Sequence, residues 1–81
     1  MKTIKYFSAK WCGPCRTVRP IMQEVASEGY SVQFIDIDEQ IAIAEEYKVR
    51  AIPVIVVEEN GIVIDRIIGA LTKQQILERL M

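Results

Sequence analysis

Trp11-Cys12-Gly13-Pro14-Cys15 holds the only two cysteines of this 81-residue chain, and the rest of the sequence is arranged around it. The residues before it, Thr3 to Ser8, read as a strand in which Ile4 and Tyr6 share one face and Lys5 and Phe7 the other. The residues after it carry Val18, Ile21, Met22, Val25 and Ala26, the i, i+3, i+4, i+7, i+8 stripe of an amphipathic helix over about 14–28. Cys12 therefore falls where a strand ends and a helix begins. The first amide N–H groups of a helix have no intrahelical partner and carry partial positive charge, which favours ionisation of a sulfur placed there. The thiolate is the nucleophilic form of cysteine, so this placement predicts a reactive Cys12 and a lowered pKa. Pro14 suits the first helical turn, where a missing N–H costs nothing, and Gly13 leaves room for a partner backbone to approach.

Outward from this segment, Pro20 lies inside the helical stripe and should bend the helix, and Gly29 should end it. Val32 to Asp36 reads as a second strand, and Asp38 is placed to cap a short helix running to about Tyr47. Pro53 opens the apolar run Val54-Ile55-Val56-Val57, and Asn60-Gly61 signals a two-residue hairpin turn into an antiparallel strand, Ile62 to Ile68. Thr72 and Gln75 have the spacing of a capping box for a last helix that buries Ile76, Leu77 and Leu80, with Leu71 stapled onto Ile76. The order βαβαββα makes the first two strands parallel neighbours through a right-handed crossover and puts the hairpin in the same sheet. Lys5 is awkward in such a strand; its stem is expected to lie on apolar neighbours while its ammonium reaches water.

Composition narrows the function. Half the residues are hydrophobic and the net charge is −1, which suits one small folded domain and lacks the basic excess of a nucleic-acid surface. No apolar run reaches the length of a membrane span, and the strand beginning just after Met1 leaves no room for a secretory leader, so a cytoplasmic location is expected. Two cysteines there suggest catalysis or metal binding rather than a structural staple. A closed zinc site needs four ligands, and this chain has two cysteines and no histidine, so redox chemistry is the stronger reading and no metal is expected. Trp11, directly before the nucleophile, reads as a cover that offers partners an apolar contact. Lys10, Arg16 and Arg19 read as a solvated basic rim.

Three separated features resemble the thioredoxin family. They are Trp11-Cys12-Gly13-Pro14-Cys15 with Pro20 following, Val49-Arg50-Ala51-Ile52-Pro53, and Gly69-Ala70-Leu71-Thr72-Lys73. The resemblance implies a minimal thioredoxin fold of class α/β, residues 1–81 as a single domain, with a four-stranded mixed sheet between helices. It implies that Cys12 is an exposed nucleophile and Cys15 a more buried resolving thiol. It also implies a cis Pro53 that brings the backbone of Ile52 beside the sulfurs. Trp11, Gly13, Pro14, Ile52, Pro53, Gly69 and Ala70 would then bind an extended substrate segment, as in strand addition. The implied activity is reduction of protein disulfides through a reversible Cys12–Cys15 pair, with no bound cofactor. The implied partners are disulfide-containing proteins and a thioredoxin reductase or equivalent, with the chain a monomer.

Two features depart from the family. Full-length thioredoxins carry a further strand and helix ahead of this core, which brings the chain closer in size to glutaredoxins. Tyr6 and Phe34 stand where thioredoxins have a buried aspartate and its lysine, a double change that strands no charge. The alternatives are accordingly a glutaredoxin-like reductase recharged by glutathione, and a non-redox docking subunit built on the fold. A minor role is also assigned to Tyr6, whose hydroxyl, or a water held by it, would help deprotonate Cys15. Val32 to Asp36 is expected to be a sheet edge.

Overall fold

Lys2–Ser8 forms strand β1 of the protein, whose computed structural model describes residues 2–81. Helix α1 spans Gly13–Ser27, β2 Ser31–Asp36, α2 Ile41–Glu46, β3 Val54–Glu59, β4 Ile62–Ile68 and α3 Lys73–Leu80. The strands lie in the order β2-β1-β3-β4, with β1 and β2 parallel and the other two pairings antiparallel. This is the expected four-stranded mixed sheet, and β2 is one of its edges.

The alternation of β1 divides the interior into two layers. Ile4 and Tyr6 face Val18, Met22 and Val25 of α1 and Ile76 and Leu80 of α3. Phe7 faces the other way, into a cluster with Ile35, Val54 and Val56 that Ile43, Tyr47 and Val49 cover from the α2 side. Strand β3 contributes to both, so Val54, Ile55, Val56 and Val57 are all buried. A fully buried residue of this size contributes roughly 1.5–3 kcal/mol. That is why the run without alternation belongs to the interior of the sheet.

Local signals end the elements. Gly29 follows the α1 cap Glu28 with φ +102°, a conformation that glycine adopts without strain. Pro20 sits inside α1 on its exposed side without ending the helix. Asn60 and Gly61 both have positive φ, 54° and 83°, as a two-residue hairpin turn with the right twist requires. The pairing of β3 with β4 then shifts register between Val57 and Glu58, a bulge that turns the hairpin end. The capping box is present: Gln75 N–H donates to Thr72 Oγ1 at 3.1 Å and Thr72 N–H to Gln75 Oε1 at 2.9 Å.

Two expectations fail here for physical reasons. Asp38 does not cap α2, which starts from Gln40 with no side-chain cap. Asp36 takes the local amides instead: its Oδ1 accepts from Asp38 N–H at 2.8 Å and from Glu39 N–H at 3.3 Å. Lys5 does not send its ammonium into bulk water. It pairs with Glu58 at 2.5 Å and lies 5.5 Å from the centre of the Tyr47 ring, while the Tyr47 hydroxyl donates to the other Glu58 oxygen at 2.8 Å. The Glu58 hydrogen bond raises the Lys5 pKa, and the Lys5 hydrogen bond lowers that of Glu58.

Candidate active site

The cysteine pair stands beyond the C-terminal end of β1. A turn closed by Cys12 N–H donating to Ala9 C=O at 3.2 Å lifts the chain off the sheet edge. Cys12 is itself the N-cap of α1, with extended φ −86° and ψ 112°, and Pro14 lies in the first turn. Its Sγ accepts the Cys15 N–H at 3.2 Å, the position a capping oxygen normally takes. A sulfur in that place meets the positive end of the helix and one directed donor, and both stabilise negative charge on it. Cys12 and Cys15 are joined as a disulfide across Cα atoms 5.3 Å apart.

The expected difference in exposure between the two sulfurs is not found. Cys12 is 5% exposed and Cys15 3%, so Cys12 is not an exposed residue in this oxidised state. The bonded cysteines form one buried cluster with Ala9, and Ile37 and Ile52 pack against it. Ala9 and Ile37 had no motif to mark them; they reach the site because they flank the ends of β1 and β2.

The surrounding residues fall into two groups. Ile52 is packed on the cysteine cluster, the Ile52–Pro53 peptide bond is cis, and the Pro53 carbonyl accepts Gly69 N–H at 3.0 Å. That bond couples the segment beside the sulfurs to the end of β4. Trp11, Gly13, Pro14 and Ala70 are exposed, and Pro53 itself is buried. The Trp11 indole N–H donates to Asp38 Oδ2 at 2.8 Å. Ile68, 63% exposed next to Gly69, adds apolar surface that the sequence patterns had assigned only to a strand.

Behind Cys15 lies a cavity of about 400 Å³ that reaches Tyr6 and Ser8 at its floor and Arg16 and Arg19 at its rim. The Tyr6 hydroxyl donates to the Cys15 carbonyl at 2.8 Å, and burial pushes its pKa up. Tyr6 is thus a neutral donor whose proton lies on the Cys15 carbonyl. Its ring meets Phe34 edge-on at 5.7 Å, an apolar contact where a charge pair would have needed desolvation. Among the described residues no group of three or more His, Cys, Asp or Glu is placed to hold a metal ion, and no helix is long and apolar enough to cross a membrane.

A parallel βαβ unit carrying a helix-capping dithiol pair beside a cis X–Pro bond defines a thioredoxin-fold protein. A family model described as Thioredoxin matches residues 2–81, and the chain belongs to the thioredoxin family. It is 46% identical to Thioredoxin H5 of Arabidopsis thaliana over 77 residues, which is 93% of this chain and 64% of that protein. It is 36% identical to a thioredoxin of Mycoplasmoides gallisepticum over 81 residues, covering 98% of this chain and 81% of that one. A mutant thioredoxin of Halobacterium salinarum NRC-1 superposes with a TM-score of 0.90 at 29% identity, over 96% of this chain and 70% of the other. The chain thus spans slightly less than two-thirds of the plant relative's length.

Proposed function

We propose that this protein is a thiol–disulfide oxidoreductase that reduces protein disulfides through Cys12 and Cys15. The observation that carries the reading is the Cys12 sulfur in the capping position of α1, bonded to Cys15 and accepting its amide N–H. In the reduced protein the Cys12 thiolate attacks one sulfur of a target disulfide; a Cys12–target bond forms and the target's other sulfur leaves as a thiolate. Cys15 then attacks Cys12, the Cys12–Cys15 bond forms, and the second target thiolate departs. Two electrons pass from the protein to the target.

Substrate binding follows from the exposed frame. Trp11, Gly13, Pro14, Ala70 and Ile68 form an apolar margin, and Ile52, Pro53 and Gly69 give a backbone lip along which an extended segment pairs. Disulfide-containing proteins in the cytoplasm are the substrates of this reading. A NADPH-linked reductase recharges the pair, with glutathione as the rival donor. The decisive experiment reduces a protein disulfide such as that of insulin, supplying thioredoxin reductase with NADPH in one arm and glutathione in the other. Turnover in the first arm, lost in Cys12→Ser and replaced by a trapped mixed disulfide in Cys15→Ser, is expected. A fully reduced protein that opens no disulfide in either arm refutes the reading.

A further inference from the structure

We propose that the cavity behind Cys15 is the solvent path by which the resolving thiol gives up its proton, and that the small side chain of Ser8 keeps it open. The inference rests on the reading of Cys15 as the resolving thiol. A thiol must ionise before it attacks, and burial against apolar groups opposes ionisation. Cys15 is 3% exposed, and Ala9, Ile37 and Ile52 close the cysteine cluster with carbon. The cavity is the polar space in contact with it. Cys15 lines that space and Cys12 does not, so the path serves the second sulfur rather than the first.

The volume and the lining suit water. About 400 Å³ has room for on the order of ten water molecules at ~30 Å³ each. The floor carries two hydroxyls, those of Tyr6 and Ser8. With its proton held by the Cys15 carbonyl and its side chain fully buried, Tyr6 gives the floor a fixed polar oxygen, and the Cys15 proton passes to water rather than to Tyr6. Ser8 is 7% exposed at the last position of β1; a bulky side chain there would project into the space that Ser8 and Cys15 both line.

The charges facing the cavity come from three segments. Lys10 lies in the loop after β1 and pairs with Glu39 at 3.6 Å, and Asp36 at the end of β2 is engaged by the amides of Asp38 and Glu39. Arg16 and Arg19 come from α1. Arg16 donates to the Lys10 carbonyl at 3.4 Å and Arg19 lies 5.6 Å from the centre of the Phe34 ring. Among the described residues neither guanidinium forms an ion pair, and the charged side chains lining the cavity, Lys10, Arg16 and Arg19 against Asp36 and Glu39, leave a modest positive balance that favours the thiolate over the thiol. The Cys15 S–H proton passes to cavity water, the thiolate attacks Cys12 Sγ, the Cys12–target bond breaks, and the departing target thiolate is protonated by solvent.

The test is a single-turnover measurement of the mixed disulfide between the intact protein and a fluorescent peptide disulfide, followed across pH. Ser8→Leu narrows the cavity from the β1 side. It is expected to slow decay of the mixed disulfide at least tenfold and shift the midpoint of its pH profile upward, while alkylation of Cys12 keeps its parental pH dependence. Ser8→Ala removes the hydroxyl and keeps the space, and it should resolve at least fivefold faster than Ser8→Leu. A folded Ser8→Leu protein that resolves at the parental rate overturns the inference and leaves the oxidoreductase reading standing; a parent that forms no mixed disulfide overturns both. If Ser8→Leu does not fold, infrared spectroscopy of Cys12→Ser in D₂O decides. The Cys15 S–H band should exchange within seconds, and a band persisting for an hour in the folded protein refutes the path.

Discussion

The indole N–H of Trp11 donates to the carboxylate of Asp38, 2.8 Å away and 27 residues along the chain. The bond joins the loop before α1 to the loop after β2, and it leaves the ring 67% exposed at the edge of the disulfide. An aromatic ring held in that posture offers apolar area without the entropy cost of ordering it on binding. Asp38→Ala should therefore free the ring more than it destabilises the fold, with less than about 1 kcal/mol lost because the bond is solvent-exposed. Trp11 fluorescence anisotropy is expected to fall, and the KM for a protein disulfide to rise about threefold. Unchanged anisotropy and unchanged KM would show that the bond positions nothing.

Much of this arrangement was legible in the residues. Helix and strand periods, the Asn60-Gly61 turn, the Thr72 and Gln75 cap and the two cysteines all act over a few neighbours, so each could be assigned from its own segment. What escaped depended on pairing across the sheet. Lys5 could not announce Glu58 as its partner 53 residues later, because their proximity exists only once β1 lies against β3. Asp38 had the right residue type for a cap, but Asp36 took the nearby amides first and left Asp38 to Trp11. Cys12 is buried in the disulfide-bonded form, a state that spacing alone does not declare.

Gly69 ties the end of β4 to the cis-proline segment of the proposed binding lip. It has φ +96° and donates its N–H to the Pro53 carbonyl at 3.0 Å. A Cβ at this position would meet open space, so the penalty for a side chain is conformational and not steric. Gly69→Val is expected to cost about 1–2 kcal/mol in urea unfolding, the strain of a left-handed conformation in a branched residue. Catalysis should fall more for a protein disulfide than for a small-molecule disulfide, because the displaced lip meets only the larger substrate. Equal losses on the two substrates would remove Gly69 from the binding surface.

Oxidation state should also set stability. The Cys12–Cys15 bond closes a loop with a sequence separation of 3, which limits the unfolded chain only slightly. The chain-entropy estimate for so short a loop is roughly 2 kcal/mol in favour of the oxidised form. For a domain of this size that corresponds to a Tm difference on the order of 10 °C. Calorimetry of the oxidised protein against the protein held reduced by excess dithiol measures it. A reduced form that melts as high as the oxidised one would mean that contacts made only by the free thiols offset the lost cross-link.

The ion pair of Lys5 and Glu58 sits on the sheet face away from α1, with side-chain exposures of 20% and 8%. Glu58 has a lowered pKa, chiefly through its hydrogen bond to Lys5, so its contribution is present above the ordinary carboxylate value of about 4.3 and lost as pH falls through the lowered one. Lys5 has a raised pKa, chiefly through Glu58, so its contribution is present below about 10.4 and lost as pH rises through the raised value. Stability from the pair should consequently be flat between those limits and decline outside both. Removing one member strands the other: Glu58→Leu, or Lys5→Met alone, is expected to cost about 3 kcal/mol, near the low end for a buried pair because Lys5 keeps some contact with water. The double variant Lys5→Met with Glu58→Leu should recover most of that loss, since apolar side chains of similar volume need no desolvation. Urea unfolding of the four proteins gives the coupling directly. If the double variant is as unstable as the sum of the singles, the two residues act independently, and the Tyr47 hydroxyl rather than the ammonium is what holds Glu58 in place.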